Sequence, residues 1–280
     1  MENDIPPIRI GLALGGGAVR GAAHIGVLDV LDRAGLRPAV ITGTSAGALV
    51  GALYAHGMSP ADIAKLAQTL RWARLVRPGR TRKALFETSK LGLFLEAALD
   101  GVDFDDLDVP FAAVACDLTT GREVVMRSGP VASAVLASAA IPGVFSPVER
   151  DGHLLVDGGL VTMVPAALAR EMGADIVIAV DVSGPLPRRP PTTVLHIMVA
   201  VSTLQPGGRD SLEEDADLVL KPDVDAYAFW ELSRIPEFED AGRSAAEKAL
   251  PVVRALLTAA EARRDWQRGE CPPEPAGPPA

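Results

Sequence analysis

Two turns in the first 56 residues constrain the fold more than any other feature of the chain, because each joins a short apolar strand directly to a helix through glycines. Ile8 to Leu14 reads as a buried strand, Gly15-Gly-Gly-Ala-Val-Arg-Gly21 as the turn after it, and Arg20 to Ala34 as a helix with Ile25, Leu28 and Leu31 on one face, stopped at Gly35. Ala39 to Thr42 reads as a second strand, Gly43-Thr44-Ser45-Ala46-Gly47 as its turn, and Ala46 to His56 as an apolar helix closed by Gly57. Units of this kind bring the chain back to the same end of a sheet, so they specify parallel strands with helical crossovers.

The alternation continues. Ser59-Pro-Ala-Asp62 opens a helix to about Leu70 with a serine cap and proline at its first position, and a further helix is expected near Ser89 to Leu99. An acidic loop, Asp103 to Asp108, leads into the strand Phe111 to Cys116, with Val124 to Met126 as its partner across Thr120-Gly121. Val131 to Ala139 reads as a buried helix ended by Ile141-Pro142-Gly143, Leu154 to Val156 as a strand running into Asp157-Gly158-Gly159, and Ala174 to Val182 as a fully buried strand. Helices near Thr193 to Leu204 and Glu237 to Ala262 complete one doubly wound α/β domain over residues 8–262, and the proline-rich stretch 269–280 reads as a disordered tail.

Charge and cysteine content narrow the function. A net charge of −9 argues against a nucleic-acid backbone as partner. Cys116 and Cys271 give neither a disulfide framework nor metal-ligand spacing, so no metal and no cofactor is expected. The start of the chain shows no secretory pattern and no stretch is apolar enough to span a bilayer, which points to the cytoplasm, with peripheral contact at the inner membrane face as a second expectation. That contact would use residues 71–90, where Arg71, Arg74, Arg77, Arg80, Arg82, Lys83 and Lys90 face one acid, Glu87, for a local charge of +6. Trp72, Leu75, Val76, Leu85 and Phe86 are interleaved with these cations, a composition suited to lipid headgroups, although a solvated surface loop with a few core contacts is the simpler reading.

Gly43-Thr44-Ser45-Ala46-Gly47 has the form G-x-S-x-G at a strand-to-helix turn, where flanking glycines permit the sharp bend that exposes a nucleophilic hydroxyl. Taken alone it fits an ordinary helix entry as well. The loop Gly15, Gly16, Gly17, Ala18, Val19, Arg20, Gly21 can converge backbone N–H groups on an anion and suits an oxyanion hole; dinucleotide binding would need an acid ending the second strand, where Gly43-Thr44-Ser45 stands instead. Arg20 reads either as a cap on that anion site or as a brace for the loop. Asp157-Gly158-Gly159 reads alone as an Asx turn, but a serine nucleophile needs a base. His24, His56, His153 and His196 each lie in contexts that read as structural. The order Ser45, Asp157 or Asp181, then His196 formally fits a Ser-Asp-His hydrolase, yet only one strand–helix unit precedes Ser45, which leaves no room for the sheet and upstream oxyanion loop of that architecture. A carboxylate acting directly on Ser45 is the simpler assignment. Asp117 and Ser138 read as structural, the first opening a turn and the second lying within a helix.

In this order, the arginine-bearing glycine loop at 15–21, G-x-S-x-G at 43–47 and D-G-G at 157–159 resemble the bacterial patatin-like phospholipases. Cys116-Asp-Leu-Thr-Thr-Gly121, Ala137-Ser-Ala-Ala-Ile-Pro-Gly-Val-Phe145 and Asp217-Leu-Val-Leu-Lys-Pro-Asp223 are similar to further pieces of that family. The resemblance implies a three-layer α/β/α domain with a mainly parallel central sheet and a lipid ester substrate. It also implies a Ser–Asp dyad in which Ser45 attacks the ester carbonyl, Asp157 takes its proton and amides of Gly15 to Ala18 bind the oxyanion. One glycine of the family's loop falls on Ala18 here, and its methyl group matters if that position needs positive φ.

Overall fold

The structure, a computed structural model, describes residues 7–71, 77–78, 84–184 and 210–267. The expected helix at Thr193 to Leu204, His196, Cys271, the proline-rich tail and half of the basic run, residues 72–76 and 79–83, lie outside the described residues.

Strands β1 (Ile10–Leu14) and β2 (Val40–Thr44) are buried along their whole length and pair in parallel at the centre of an eight-stranded sheet. On one side β1 is joined by β9 (Ile176–Val180) and then β10 (Leu218–Leu220), both parallel. On the other side β2 pairs in parallel with β5 (Phe111–Asp117). The remaining strands are antiparallel: β6 (Glu123–Met126) on β5, and the hairpin β7 (Val148–Arg150) with β8 (His153–Asp157). Inside the basic run a separate two-stranded ribbon pairs β3 (Arg77–Pro78) with β4 (Phe86–Glu87).

Alternation along the central strands builds three layers. Ile10, Leu12 and Leu14 of β1 and Ile176, Ile178 and Val180 of β9 face a large core with α1 (Ala23–Arg33), α2 (Ala46–Ala55), α3 (Pro60–Gln68), α4 (Ser89–Ala98), α5 (Val131–Ser138) and the long α8 (Ile235–Gln267). Ala13, Val177 and Ala179 face the opposite way, onto α6 (Ala166–Glu171) and the neighbouring α7 (Asp210–Asp215).

Several boundaries differ from the sequence expectation, each for a local reason. The helix after the first strand begins as a tight 3-10 turn, Ala18–Ala22, because the Arg20 N–H bonds to the Gly17 carbonyl and the Val19 N–H to Phe229. Strand β2 runs two residues past Thr42. The buried Thr42 and Thr44 hydroxyls donate to the Pro165 and Thr162 carbonyls at 2.8 and 2.9 Å, so the strand keeps its polar atoms satisfied up to Ser45. The hairpin strand β7 had no sequence counterpart, and α8 extends beyond Glu237 and Ala262 at both ends.

Strand register places the ends that matter together. β6 occupies one edge of β5 along residues 113–116, leaving the other edge to β2, which reaches Thr44 opposite Val114, and to β8, whose Asp157 lies opposite Ala115. Strands β2 and β8 therefore run toward each other along a single edge of β5 and meet at Ser45 and Asp157.

Candidate active site

Ser45 is the single residue between strand β2 and helix α2, with φ 54° and ψ −117°. A side chain in this region is strained by roughly 1–3 kcal/mol and stays there only when its surroundings over-determine it. The neighbouring glycine shows why the turn is this tight: a Cβ on Gly47 would stand 2.1 Å from the Leu14 carbonyl oxygen. The Ser45 N–H donates to Ser138 Oγ at 2.8 Å, and the Ser45 hydroxyl donates to Asp157 Oδ2 at 2.6 Å. Both side chains of that pair are buried.

Asp157 serves two functions with two oxygens. Oδ1 accepts the Gly159 N–H at 2.8 Å, which makes the Asx turn leading into Gly158–Leu160, and Oδ2 accepts from Ser45. Burial pushes its carboxyl up to about 6, more than the bonds from Ser45 and Gly159 pull it down. The carboxylate is thus a better base than an exposed aspartate and still mostly ionised at neutral pH.

The glycine loop lies against the serine: a Cβ on Gly16 would sit 3.4 Å from Ser45 Cβ. The expectation that amides of Gly15 to Ala18 all face an oxyanion needs correction. The Gly15 N–H donates to the Val180 carbonyl and the Gly16 N–H to the Met163 carbonyl, each at 3.0 Å, so these two anchor the loop to the sheet. The amides of Gly17 and Ala18 open the 3-10 turn and those after Ser45 open α2, positions whose N–H groups have no intrahelical acceptor. Ala18 has φ 51°, so the position where the family carries glycine is one of positive φ in this chain. Arg20 is a brace: its guanidinium donates to the Ser183 carbonyl at 2.9 Å and to Tyr227 at 3.5 Å, and burial lowers its pKa. Gly21 packs against Ala46, tying the two turns together.

The three described histidines bond elsewhere. His24 is fully buried with Nε2 2.8 Å from the Gly15 carbonyl; burial pushes it down to about 4, so it is neutral and donates to that oxygen. His153 pairs with Asp117 at 3.0 Å, which helps to hold the Asp117 carboxyl down at about 2, and His56 lies 3.8 Å from Asp100. Asp181, the other aspartate in the formal triad order, accepts from the Ser183 N–H and hydroxyl in an Asx turn. Ser138, read from the sequence as structural, is the residue whose hydroxyl accepts the Ser45 N–H. It lies on the buried stripe Val131, Val135, Ser138, and a hydroxyl on such a stripe must find partners, which is the signal that points to it. Among the described residues no group of three or more His, Cys, Asp or Glu side chains is arranged to hold a metal, and no helix is long and apolar enough to cross a membrane.

Ser45 opens onto a cavity of about 180 Å³. Ile25, Leu49, Leu53, Leu66, Phe94 and Leu95 contribute to a lining in which, among the described residues, Ser45 is the polar side chain.

Fold and site together define a class: three-layer α/β/α proteins that set a serine on a strand-to-helix turn against a buried aspartate at the end of a neighbouring strand, within a mainly parallel sheet. Residues 12–170 match the family described as patatin-like phospholipase, and the chain belongs to that family. An NTE family protein of Mycobacterium tuberculosis is 37% identical over 185 residues, covering 63% of this chain and 49% of that protein. Patatin-like phospholipase domain-containing protein 6 of Homo sapiens is 36% identical over 183 residues, covering 62% of this chain and 13% of that protein. The chain thus spans about half the length of the mycobacterial relative and a smaller part of the human one. The crystal structure of VipD from Legionella pneumophila shares the fold, with a TM-score of 0.55 at 13% identity over 91% of this chain and 68% of that one.

Proposed function

We propose that this protein is a serine acyl-ester hydrolase acting on phospholipids or related lipid esters, with Ser45 as nucleophile and Asp157 as its base. The observation that carries the reading is the Ser45 hydroxyl, 2.6 Å from a buried carboxylate, at the wall of a cavity lined by apolar side chains. Such a cavity accepts an acyl chain and offers a polar headgroup nothing, so the ester carbonyl comes to rest at Ser45 with the alcohol outward.

In the first half-reaction Ser45 Oγ bonds to the ester carbonyl carbon while its proton passes to Asp157 Oδ2. The carbonyl oxygen becomes an oxyanion facing the Gly17 and Ala18 amides and the positive end of α2. Collapse breaks the bond to the alcohol, which takes the proton from Asp157. Water then attacks the acyl-serine, loses a proton to Asp157, and the acid leaves as Ser45 regains its hydrogen.

Mass-spectrometric profiling of lipids incubated with wild type and with Ser45→Ala tests this reading. Fatty acid and lysolipid should accumulate with wild type only. Cleavage of short p-nitrophenyl esters with no lipid product would make the protein a generic carboxylesterase or thioesterase using the same dyad, and failure of a fluorophosphonate to label Ser45 would make it a silent lipid-binding protein.

Peripheral membrane contact through residues 71–90 is part of the same reading. Its support is the +6 charge of that run and its exposed Leu85, together with exposed Leu93 on the helix that carries Leu91 and Phe94 of the cavity lining. Arg74→Glu with Arg77→Glu should impair hydrolysis of anionic vesicles more than of a soluble ester, an effect that weakens with salt. Equal loss on both substrates would contradict the contact.

A further inference from the structure

The C-terminal end of α5 and the two residues after it touch both members of the Ser45–Asp157 pair. Ser138 Oγ accepts the Ser45 N–H at 2.8 Å, and its own hydrogen goes to the Val114 carbonyl at 2.6 Å. Two residues later the Ala140 carbonyl accepts the Asp157 N–H at 2.9 Å. The same Val114 carbonyl is closed in by the base loop, since a Cβ on Gly158 would stand 2.3 Å from it. Val135, Ala139 and Ile141, interleaved with these contacts, line the cavity at Ser45.

We propose that this segment is a strap setting the geometry of the reacting pair, and that Ser138 is its positioning residue. The proposal rests on the hydrolase reading above.

The physical need is specific. The nucleophile sits at positive φ, where its amide points away from the ladder of β2 and precedes the ladder of α2, so it needs an acceptor from elsewhere. Ser138 is fully buried, and its hydroxyl fills both of its roles, accepting the Ser45 N–H and donating its own hydrogen to the Val114 carbonyl. Without that oxygen a buried N–H and a buried C=O lose their partners together, and the turn can relieve both by rotating Ser45 away from Asp157. The effect belongs on the rate of the chemical step, because the cavity that binds the acyl chain is lined by other residues.

Wild type, Ser45→Ala, Ser138→Ala and Ser138→Thr are to be compared on p-nitrophenyl butyrate, with folding checked by circular dichroism and kcat expressed per folded molecule. Ser138→Ala should lower kcat roughly 10- to 100-fold with KM nearly unchanged, as a small misplacement of a reacting group does. The rate of fluorophosphonate labelling of Ser45 should fall in parallel, and Ser138→Thr, which keeps the hydroxyl, should recover most of both. A folded Ser138→Ala with wild-type kcat overturns the proposal, even if its Tm is lower, since a purely structural role predicts that result. Should the alanine variant fail to fold, Ser138→Cys carries the test: its sulfur is a weak acceptor, so a folded cysteine variant with wild-type kcat also overturns it. A wild type that neither cleaves the ester nor labels at Ser45 overturns the hydrolase reading and the strap together, whereas an active wild type with an undiminished Ser138→Ala overturns the strap alone.

Discussion

The two strand-to-helix turns lie in contact, and each holds one residue other than glycine at positive φ: Ala18 at 51° in the glycine loop and Ser45 at 54° in the turn after β2. They are held there differently. The backbone on either side of Ala18 is anchored by other backbone, the Gly15 and Gly16 amides on Val180 and Met163 before it and the Val19 amide on Phe229 after it. Around Ser45 it is side chains that do the holding, through Ser138 Oγ on the amide and Asp157 on the hydroxyl. At Ala18 positive φ serves the course of the chain and any residue tolerating it would do. At Ser45 the conformation presents the hydroxyl to Asp157, so under the proposed function strain and chemistry would reside in the same residue.

The largest expected effect follows from that. Ser45→Ala should reduce ester hydrolysis by about 10³-fold or more while circular dichroism stays unchanged. A folded variant with full turnover would remove the distinction between the turns altogether.

Asp157→Asn should cost nearly as much activity because the pair acts as a unit, yet it should move stability the other way. The folded Asp157 carboxyl titrates at about 6, above the unfolded value near 4. Below about pH 4 both states are protonated and burial carries no charge penalty. The penalty grows from pH 4 to 6 and is complete above 6, where it amounts to roughly 3 kcal/mol. The stability of Asp157→Asn relative to wild type should therefore increase by about that much between pH 4 and pH 7 in denaturant titrations. A difference that stays flat with pH would mean that Asp157 is not the buried, ionised group described above.

The smallest effect compares the two strained residues directly. Replacing alanine by glycine relieves positive φ without touching any side-chain bond. Ala18→Gly should raise stability by about 0.5–1 kcal/mol, and Ser45→Gly should exceed Ser45→Ala by about 1–3 kcal/mol, because φ 54° with ψ −117° lies outside the wells open to an L-residue. Equal gains at both sites would show that the turns are strained alike. Hydrolysis should persist in Ala18→Gly.

What was legible in the sequence was what local chemistry dictates. Apolar runs broken by glycine marked β1, β2 and the turns after them, and Asp157 stood out because an aspartate ending an apolar strand needs a reason to be there. The less legible features depend on contacts distant in sequence. Nothing local reveals that Gly15 and Gly16 already have acceptors on Val180 and Met163, nor that β8 runs antiparallel to meet β2 end to end along β5. The three-residue β7 is too short to show a period, and only pairing with β8 makes it a strand. Ser138, 93 residues from Ser45, looks like one more small residue in an alanine-rich helix until the Ser45 amide is seen to have it as acceptor.

The central claim, that the Asp157 carboxylate activates Ser45 without a histidine, is tested most directly by the rate of fluorophosphonate labelling of Ser45 as a function of pH. In wild type the rate should rise with pH through an inflection near 6, as Asp157 loses its proton, and His153→Ala should leave that profile in place. In Asp157→Asn the rate should be low and should lack the inflection. Labelling that remains fast in Asp157→Asn, or an inflection abolished by a histidine substitution in a folded protein, would contradict the account.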